Sequence, residues 1–193
     1  MNLSRPPQSW AIFGLLVGAT CSVDSGSLYQ NAGSEFGPVR PGVEVLLEDS
    51  LHLVTGKRVG LLTNQTGVDA SGRSSIDRLF EHDDIDLVAL FSPEHGIRGT
   101  AEAGETVEDG RDPGTGLPIH SLYGSVRKPT PEMLEGIDVL LVDYQDIGAR
   151  YWTYASTMTL AMEAAGEADI PVVILDRPNP IGGIAVEGGT VHQ

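Results

Sequence analysis

Leu87-Val88-Ala89-Leu90-Phe91-Ser92-Pro93-Glu94-His95-Gly96 decides the fold: five apolar side chains in succession, then a polar turn entered through proline. An apolar run of that length without alternation suits a strand covered on both faces, as in a parallel sheet. The pattern recurs on either side. Upstream, Arg58-Val59-Gly60-Leu61-Leu62 enters Thr63-Asn64-Gln65-Thr66-Gly67; downstream, Ile137-Asp138-Val139-Leu140-Leu141-Val142 stops at Asp143, and Val172 to Leu175 stops at Asp176.

Helical spacing fills the intervals between these strands. Ile76, Leu79 and Phe80 predict a helix over 74–82, and Thr130-Pro131-Glu132 is a helix-start signal leading into a short helix through Leu134. Met158, Leu160, Met162 and Ala165 predict a long helix from Tyr154 to Ala168, and Val43, Leu46, Leu47 and Leu51 a shorter one over 43–51. Strands alternating with helices mean βαβ units, so the expected fold is α/β: a Rossmann-like parallel sheet with helices on both faces. Between Gly96 and Thr130 little periodicity is visible, and Leu117 to Tyr123 reads as a short added strand or hairpin.

Composition narrows the function. The chain has 193 residues and a formal charge of −15, with 12 Lys and Arg against 27 Asp and Glu, which excludes a general nucleic-acid binder because phosphate neutralisation needs clustered cations. No Gly-x-Gly-x-x-Gly or Walker lysine motif follows the first strand, so a dinucleotide or triphosphate lacks its cradle, and no cofactor is expected. A Gly-x-Ser-x-Gly elbow is absent as well. The single cysteine, Cys21, allows neither an internal disulfide nor a paired-cysteine metal site.

Arg5 followed by the apolar stretch Trp10 to Ala19 reads as an export signal over residues 1–21. Leu15 to Cys21 resembles a bacterial lipoprotein signal, in which the cysteine carries the lipid; ordinary cleavage with release is the alternative. Residues 22–41, rich in Ser, Gly and Pro, read as a flexible linker, and 42–193 as the folded domain. The expected location is the cell envelope, with membrane contact only through a lipid on Cys21.

In an open parallel sheet, ligands bind at the edge where the strands' carboxyl ends deliver their loops. Here those loops carry Asn64 and Gln65, then Glu94 and His95, then Asp143 and Asp146, then Asp176, Arg177 and Asn179. Arg98, Arg150 and Arg177 add positive charge to that edge of an acidic protein, which points to an anionic ligand. Carboxylates gathered there supply glycoside hydrolysis, in which one acid protonates the leaving oxygen and another group stabilises the oxocarbenium-like charge. Glu94, between Pro93 and Gly96, is the candidate acid, with Asp143 and Asp146 for the second role. Competing readings are a salt bridge from Glu94 to Arg98 and a helix cap by Asp143. Tyr151, Trp152 and Tyr154 form either an aromatic wall for a sugar or part of the core. His52, His82, His120 and His192 show no ligand spacing, so no metal is expected, and His95 is read as an orienting or substrate-binding residue.

Five motifs then fall into one order. Pro93 to Gly99, Leu117 to Gly124, Lys128 to Pro131, Gln145 to Tyr151 and Asp176 to Pro180 together resemble the former domain-of-unknown-function family described as exo-β-N-acetylmuramidases. The resemblance runs from about Gly42 to Gly188. It implies release of terminal N-acetylmuramic acid from the non-reducing end of peptidoglycan fragments, on a Rossmann-like domain whose cleft is completed by an auxiliary domain beyond Gln193. It places Glu94 at the catalytic position, and the lactyl carboxylate of such a sugar gives Arg150 or Arg98 a purpose. Tyr144 departs from the pattern, where an aliphatic residue is expected. Two other readings stay open: an exported sugar-binding protein without turnover, and a metal-assisted hydrolase using His95, Asp143 and Asp176.

Overall fold

A computed structural model describes residues 39–99, 109–182 and 187–189. The export signal, Cys21 and nearly all of the linker therefore lie outside the described residues. The elements are α1 (Gly42–Asp49), β1 (Arg58–Thr63), α2 (Ser75–Phe80), β2 (Asp86–Ser92), β3 (Gly110–Arg111), β4 (Pro118–Ser121), β5 (Val139–Asp143), α3 (Tyr154–Glu167) and β6 (Val172–Ile174). One turn of 3-10 helix, Leu51–Leu53, follows α1.

The six strands form one sheet in the order β3-β4-β2-β1-β5-β6. All neighbouring pairs are parallel except β3 with β4, so the expected parallel sheet is present with one antiparallel edge strand. The segment Leu117 to Tyr123 supplies β4, and β3 pairs with it across Gly110–Ile119 and Arg111–Pro118.

Strand alternation sorts the apolar side chains into two cores. Val59, Leu61, Val139 and Leu141 point to one face, where they meet Val43 and Leu46 of α1 and Ile76 and Leu79 of α2. Leu62, Leu140 and Val142 point to the other, against Tyr154, Ala161, Ala164 and Ala165 of α3. On β2 the alternation slips. Leu87 and Leu90 face the first core while Ala89 and Phe91 face the second, because the register with β1 shifts between Val59 and Gly60. One extra residue in a strand inverts the facing of everything after it. The bulge is thus what lets two unbroken apolar runs lie side by side and still fill both faces.

The helix expected from Thr130 through Leu134 is absent. Leu134 N–H lies within reach of both Thr130 O (3.3 Å) and Pro131 O (3.2 Å), but Ile137 N–H then closes back on Leu134 O and the chain enters β5. Gly136 at φ 80° ends the turn, since a left-handed residue cannot continue a right-handed helix. The start signal is real; only the length to propagate it is missing. Among the described residues no helix is long and apolar enough to cross a membrane.

Candidate active site

The chain steps from β1 outward through β2 to β4, then returns to the other side of β1 to place β5 and β6. Loops after β1 and β5 consequently diverge, which makes the gap above these two strands the ligand-binding crevice of a sheet of this type. Thr63 and Asp143 are register partners at that point, and the Thr63 hydroxyl donates to Asp143 O at 2.6 Å. Gly67 closes over them so tightly that a Cβ would stand 2.2 Å from Thr63 Oγ1.

Asp143 is 0% exposed. Its Oδ1 accepts from Arg177 Nε at 2.7 Å, and its Oδ2 accepts from the Ser75 hydroxyl on α2. Arg177 also donates to Val68 O at 2.8 Å. The two charges meet each other, and the pair ties the β1, β5 and β6 loops to α2. Arg98 is likewise engaged, with Asp112 at 3.1 Å and Asp77 at 3.4 Å.

Glu94 is half-buried in the turn after β2. The Thr153 hydroxyl, at the N-cap of α3, donates to its Oε2 at 3.0 Å instead of capping the helix. Tyr123, just past β4, is held above the ordinary tyrosine pKa first by its hydrogen bond to Glu94, then by burial. His95 takes φ 71° and Gly96 φ 73°, so two successive left-handed residues turn the chain sharply behind the acid. For a side chain with a Cβ such a conformation costs about 1–2 kcal/mol, a strain characteristic of functional turns.

Asn64 is 2% exposed. Its Oδ1 accepts from Thr66 N–H (2.9 Å) and from the Thr66 hydroxyl (2.6 Å), and that hydroxyl in turn accepts from Gln145 N–H at 2.7 Å. Gln145 Nε2 reaches Pro178 O at 2.9 Å, so the loops after β1, β5 and β6 are cross-linked. Gln65 is exposed and lies against Gly99. Among the described residues four buried side-chain polar atoms have no hydrogen-bond partner: Asn64 Nδ2, Ser92 Oγ, Asp146 Oδ2 and Trp152 Nε1. All four belong to the carboxyl-end loops or the entry to α3. An unsatisfied buried group costs about 1–3 kcal/mol, and native proteins hold few of them.

Beside this lies a cleft of about 240 Å³ whose lining includes Tyr144, Asp146, Gly148, Met158, Asp176 and Asn179. Asp146 Oδ1 accepts from Gly148 N–H at 2.6 Å, and Asn179 Oδ1 from Ile181 N–H at 3.2 Å. Gly148, at φ 72°, lets Asn179 approach: a Cβ there would stand 2.9 Å from Asn179 Oδ1. Asp176 is exposed, and its Oδ1 accepts from Arg177 N–H. Glu94 does not line this cleft. The strand-end residues share one edge, but Asp143 is sealed beneath it and Glu94 sits toward Tyr123 and Thr153. Tyr151 is 82% exposed, whereas Tyr154 is buried, its ring tilted against Tyr144 and edge-to-face with Trp152, so the aromatic cluster divides between surface and core. Arg150 is exposed and donates to Gly189 O at 3.1 Å. No group of three or more His, Cys, Asp or Glu gathers at metal-binding distance among the described residues, and His95, Asp143 and Asp176 form none.

Sequence reasoning missed Tyr123, Thr153, Ser75 and Thr66. Tyr123 follows a strand end like the other candidates, so the rule applied to β4 finds it; the other three carry no local signal.

Fold and site together define an α/β domain with a doubly wound sheet and a carboxylate held by hydroxyls at its carboxyl edge. The family described as exo-beta-N-acetylmuramidase NamZ, N-terminal, matches residues 59–193, and the chain belongs to it. It is 49% identical over 177 residues to the peptidoglycan beta-N-acetylmuramidase NamZ of Bacillus subtilis strain 168, covering 92% of this chain and 42% of that one. Two crystal structures of DUF1343 family proteins from Bacteroides fragilis share the fold. One has a TM-score of 0.72 at 54% identity, covering 79% of this chain and 38% of the other. The second has a TM-score of 0.61 at 36% identity, covering 75% and 36%. The chain thus spans about two-fifths of the length of the relatives it matches.

Proposed function

We propose that this chain is the acid-bearing part of a glycosidase that releases terminal N-acetylmuramic acid from the non-reducing end of peptidoglycan fragments. The observation that carries the reading is Glu94: within the family's own domain, it stands at the carboxyl edge of the sheet, positioned by Thr153 and Tyr123. In this reading Glu94 protonates the leaving oxygen. With Arg98 and Arg177 engaged by carboxylates, Arg150 is the strand-edge arginine that takes the sugar's lactyl carboxylate. In this reading Gln65, His95, Asp146, Asp176 and Asn179 are the side chains that contact the sugar. Export, with or without a lipid on Cys21, follows from Arg5 and the apolar stretch 10–19 and matches a cell-wall substrate.

The test is release of free muramic acid from a muramyl-glucosamine disaccharide by the full-length protein. Glu94→Gln, which keeps shape and loses the proton, is expected to lower kcat by about 10²–10⁴-fold, the usual share of general acid catalysis. Undiminished release by Glu94→Gln removes the assignment. Binding of the disaccharide without release in the unmodified protein supports a sugar-binding protein instead.

A further inference from the structure

Tyr144 is buried just past the end of β5, and its hydroxyl has a partner there that an aliphatic side chain could not serve. It donates to Tyr154 O in the first turn of α3 at 2.8 Å. The two rings lie tilted against each other with centroids 5.2 Å apart, and Trp152 meets Tyr154 edge-to-face at 5.4 Å. Thr153 therefore stands in a stretch fastened on both sides. Before it, Trp152 N–H closes a turn on Ala149 O at 2.9 Å; after it, the Tyr154 carbonyl is held from β5. The Thr153 carbonyl itself accepts from Thr157 N–H at 3.0 Å and from the Thr157 hydroxyl at 3.3 Å. At φ −77° and ψ −17° the Thr153 backbone is already helical, unlike the extended backbone of an ordinary N-cap, and its hydroxyl makes no bond to the N–H groups of α3. That hydroxyl goes to Glu94 Oε2 at 3.0 Å. A continuous path of hydrogen bonds and one peptide unit thus runs from the end of β5, through the entry to α3, to the β2 loop.

We propose that Tyr144 and Thr153 are positioning residues for Glu94, Thr153 directly and Tyr144 through the entry to α3, and that they fix which carboxyl oxygen delivers the proton. The inference rests on Glu94 being the acid. Because Thr153 donates into Oε2, the proton of the neutral acid is carried by Oε1. Transfer moves that proton from Oε1 to the leaving oxygen, which keeps the electron pair of the broken C–O bond. The charge left behind on the carboxylate is met at Oε2 by a hydroxyl already aimed at it, with no rearrangement at the moment of reaction. Tyr144 contributes by holding the backbone that aims the hydroxyl.

Acid assistance matters only when the leaving group is poor, which gives a readout that general structural damage does not mimic. Two substrates are compared in the full-length protein: the muramyl-glucosamine disaccharide and a nitrophenyl muramic glycoside, whose leaving group departs without a proton. Thr153→Val removes the hydroxyl at nearly constant shape. It is expected to lower kcat on the disaccharide by about 10–100-fold, the share of one hydrogen bond to a charged group, and to leave the nitrophenyl substrate and KM unchanged. Thr153→Ser is expected to restore the original rate. Tyr144 also lines the cleft, and Tyr144→Phe keeps its ring there while removing the hydroxyl. It should lower kcat on the disaccharide about 3–10-fold, the share of a neutral hydrogen bond, and lower it no further once Thr153→Val is in place. The Thr153 pair decides the matter if Tyr144→Phe fails to fold. Equal losses on both substrates with Thr153→Val, or none on either, overturn the inference, and a Tyr144→Phe loss that persists in full beside Thr153→Val overturns the route through Thr153. If Glu94→Gln is itself indifferent to the leaving group, the acid assignment fails and the inference with it; if Glu94→Gln discriminates and the Thr153 variants do not, the inference alone fails.

Discussion

Arg177→Met is the most exacting check on how the site edge is held together. The substitution keeps an unbranched apolar stem and removes the guanidinium, leaving Asp143, 0% exposed, with only the Ser75 hydroxyl and no counter-charge. At the observed 2.7 Å between Arg177 Nε and Asp143 Oδ1, Coulomb attraction at an effective dielectric of about 20 amounts to about 6 kcal/mol. Desolvation of both ions takes back part of this, and breaking a buried pair by removing one partner typically costs about 3–5 kcal/mol. Arg177→Met also frees Val68 O, which pushes the expectation to the upper half of that range. For a domain of this size the melting temperature should fall by roughly 10 °C or more. The measurement is urea unfolding of Arg177→Met, Asp143→Asn and the double variant. Because the two side chains share one interaction, the double variant should be less destabilised than its singles combined, by about 2–3 kcal/mol. A loss below about 1 kcal/mol for Arg177→Met, or strict additivity, would refute the view that this pair ties the loops.

Acid sensitivity should come in part from Asp69, which the Ser71 hydroxyl and then Arg78 hold well below the usual carboxylate range. A depressed folded pKa contributes stability that is fully present above the ordinary aspartate value of about 3.9 and is lost as pH falls from there toward the folded value. Thermal melts between pH 7 and pH 2 should therefore show a drop below about pH 4 that is shallower in Asp69→Asn; parallel profiles would count against it. Arg150→Ala should raise KM for a muramic-acid sugar about tenfold or more while leaving the corresponding glucosamine sugar within about twofold, because only the former carries the lactyl carboxylate. Equal effects on both sugars would place the carboxylate elsewhere.

The fold was legible because parallel strands covered on both faces must be continuously apolar, and Val59–Leu62, Leu87–Phe91 and Val139–Val142 are. The carboxyl edge was legible for the same reason, since a run that stops abruptly marks its own end. What those ends do was not. Asp143 and Glu94 look alike in sequence, each an acid just after an apolar strand, yet one is sealed by Ser75, 68 residues away, and by Arg177, 34 residues away. The other accepts from Thr153, 59 residues on. Partners at such separations are fixed only when helices dock, and local pattern carries no trace of them. The turn at 130–136 failed in the opposite way: its start signal is local and present, but helix length depends on where the next strand must begin.

The central pair of the sheet also sets an order of assembly. β1 meets β2 after one short connection, whereas its other neighbour, β5, is joined to it by Arg58 N–H to Asp138 and Thr63 to Asp143, each spanning 80 residues. Closing a loop of that length must precede any gain from its contacts, so such pairings form late. A ribosome making this chain therefore holds β1 half-covered, one flank paired and the other waiting, until Asp143 has emerged. The bond from Gln145 N–H to the Thr66 hydroxyl, which braces Asn64, belongs to the late side of that delay.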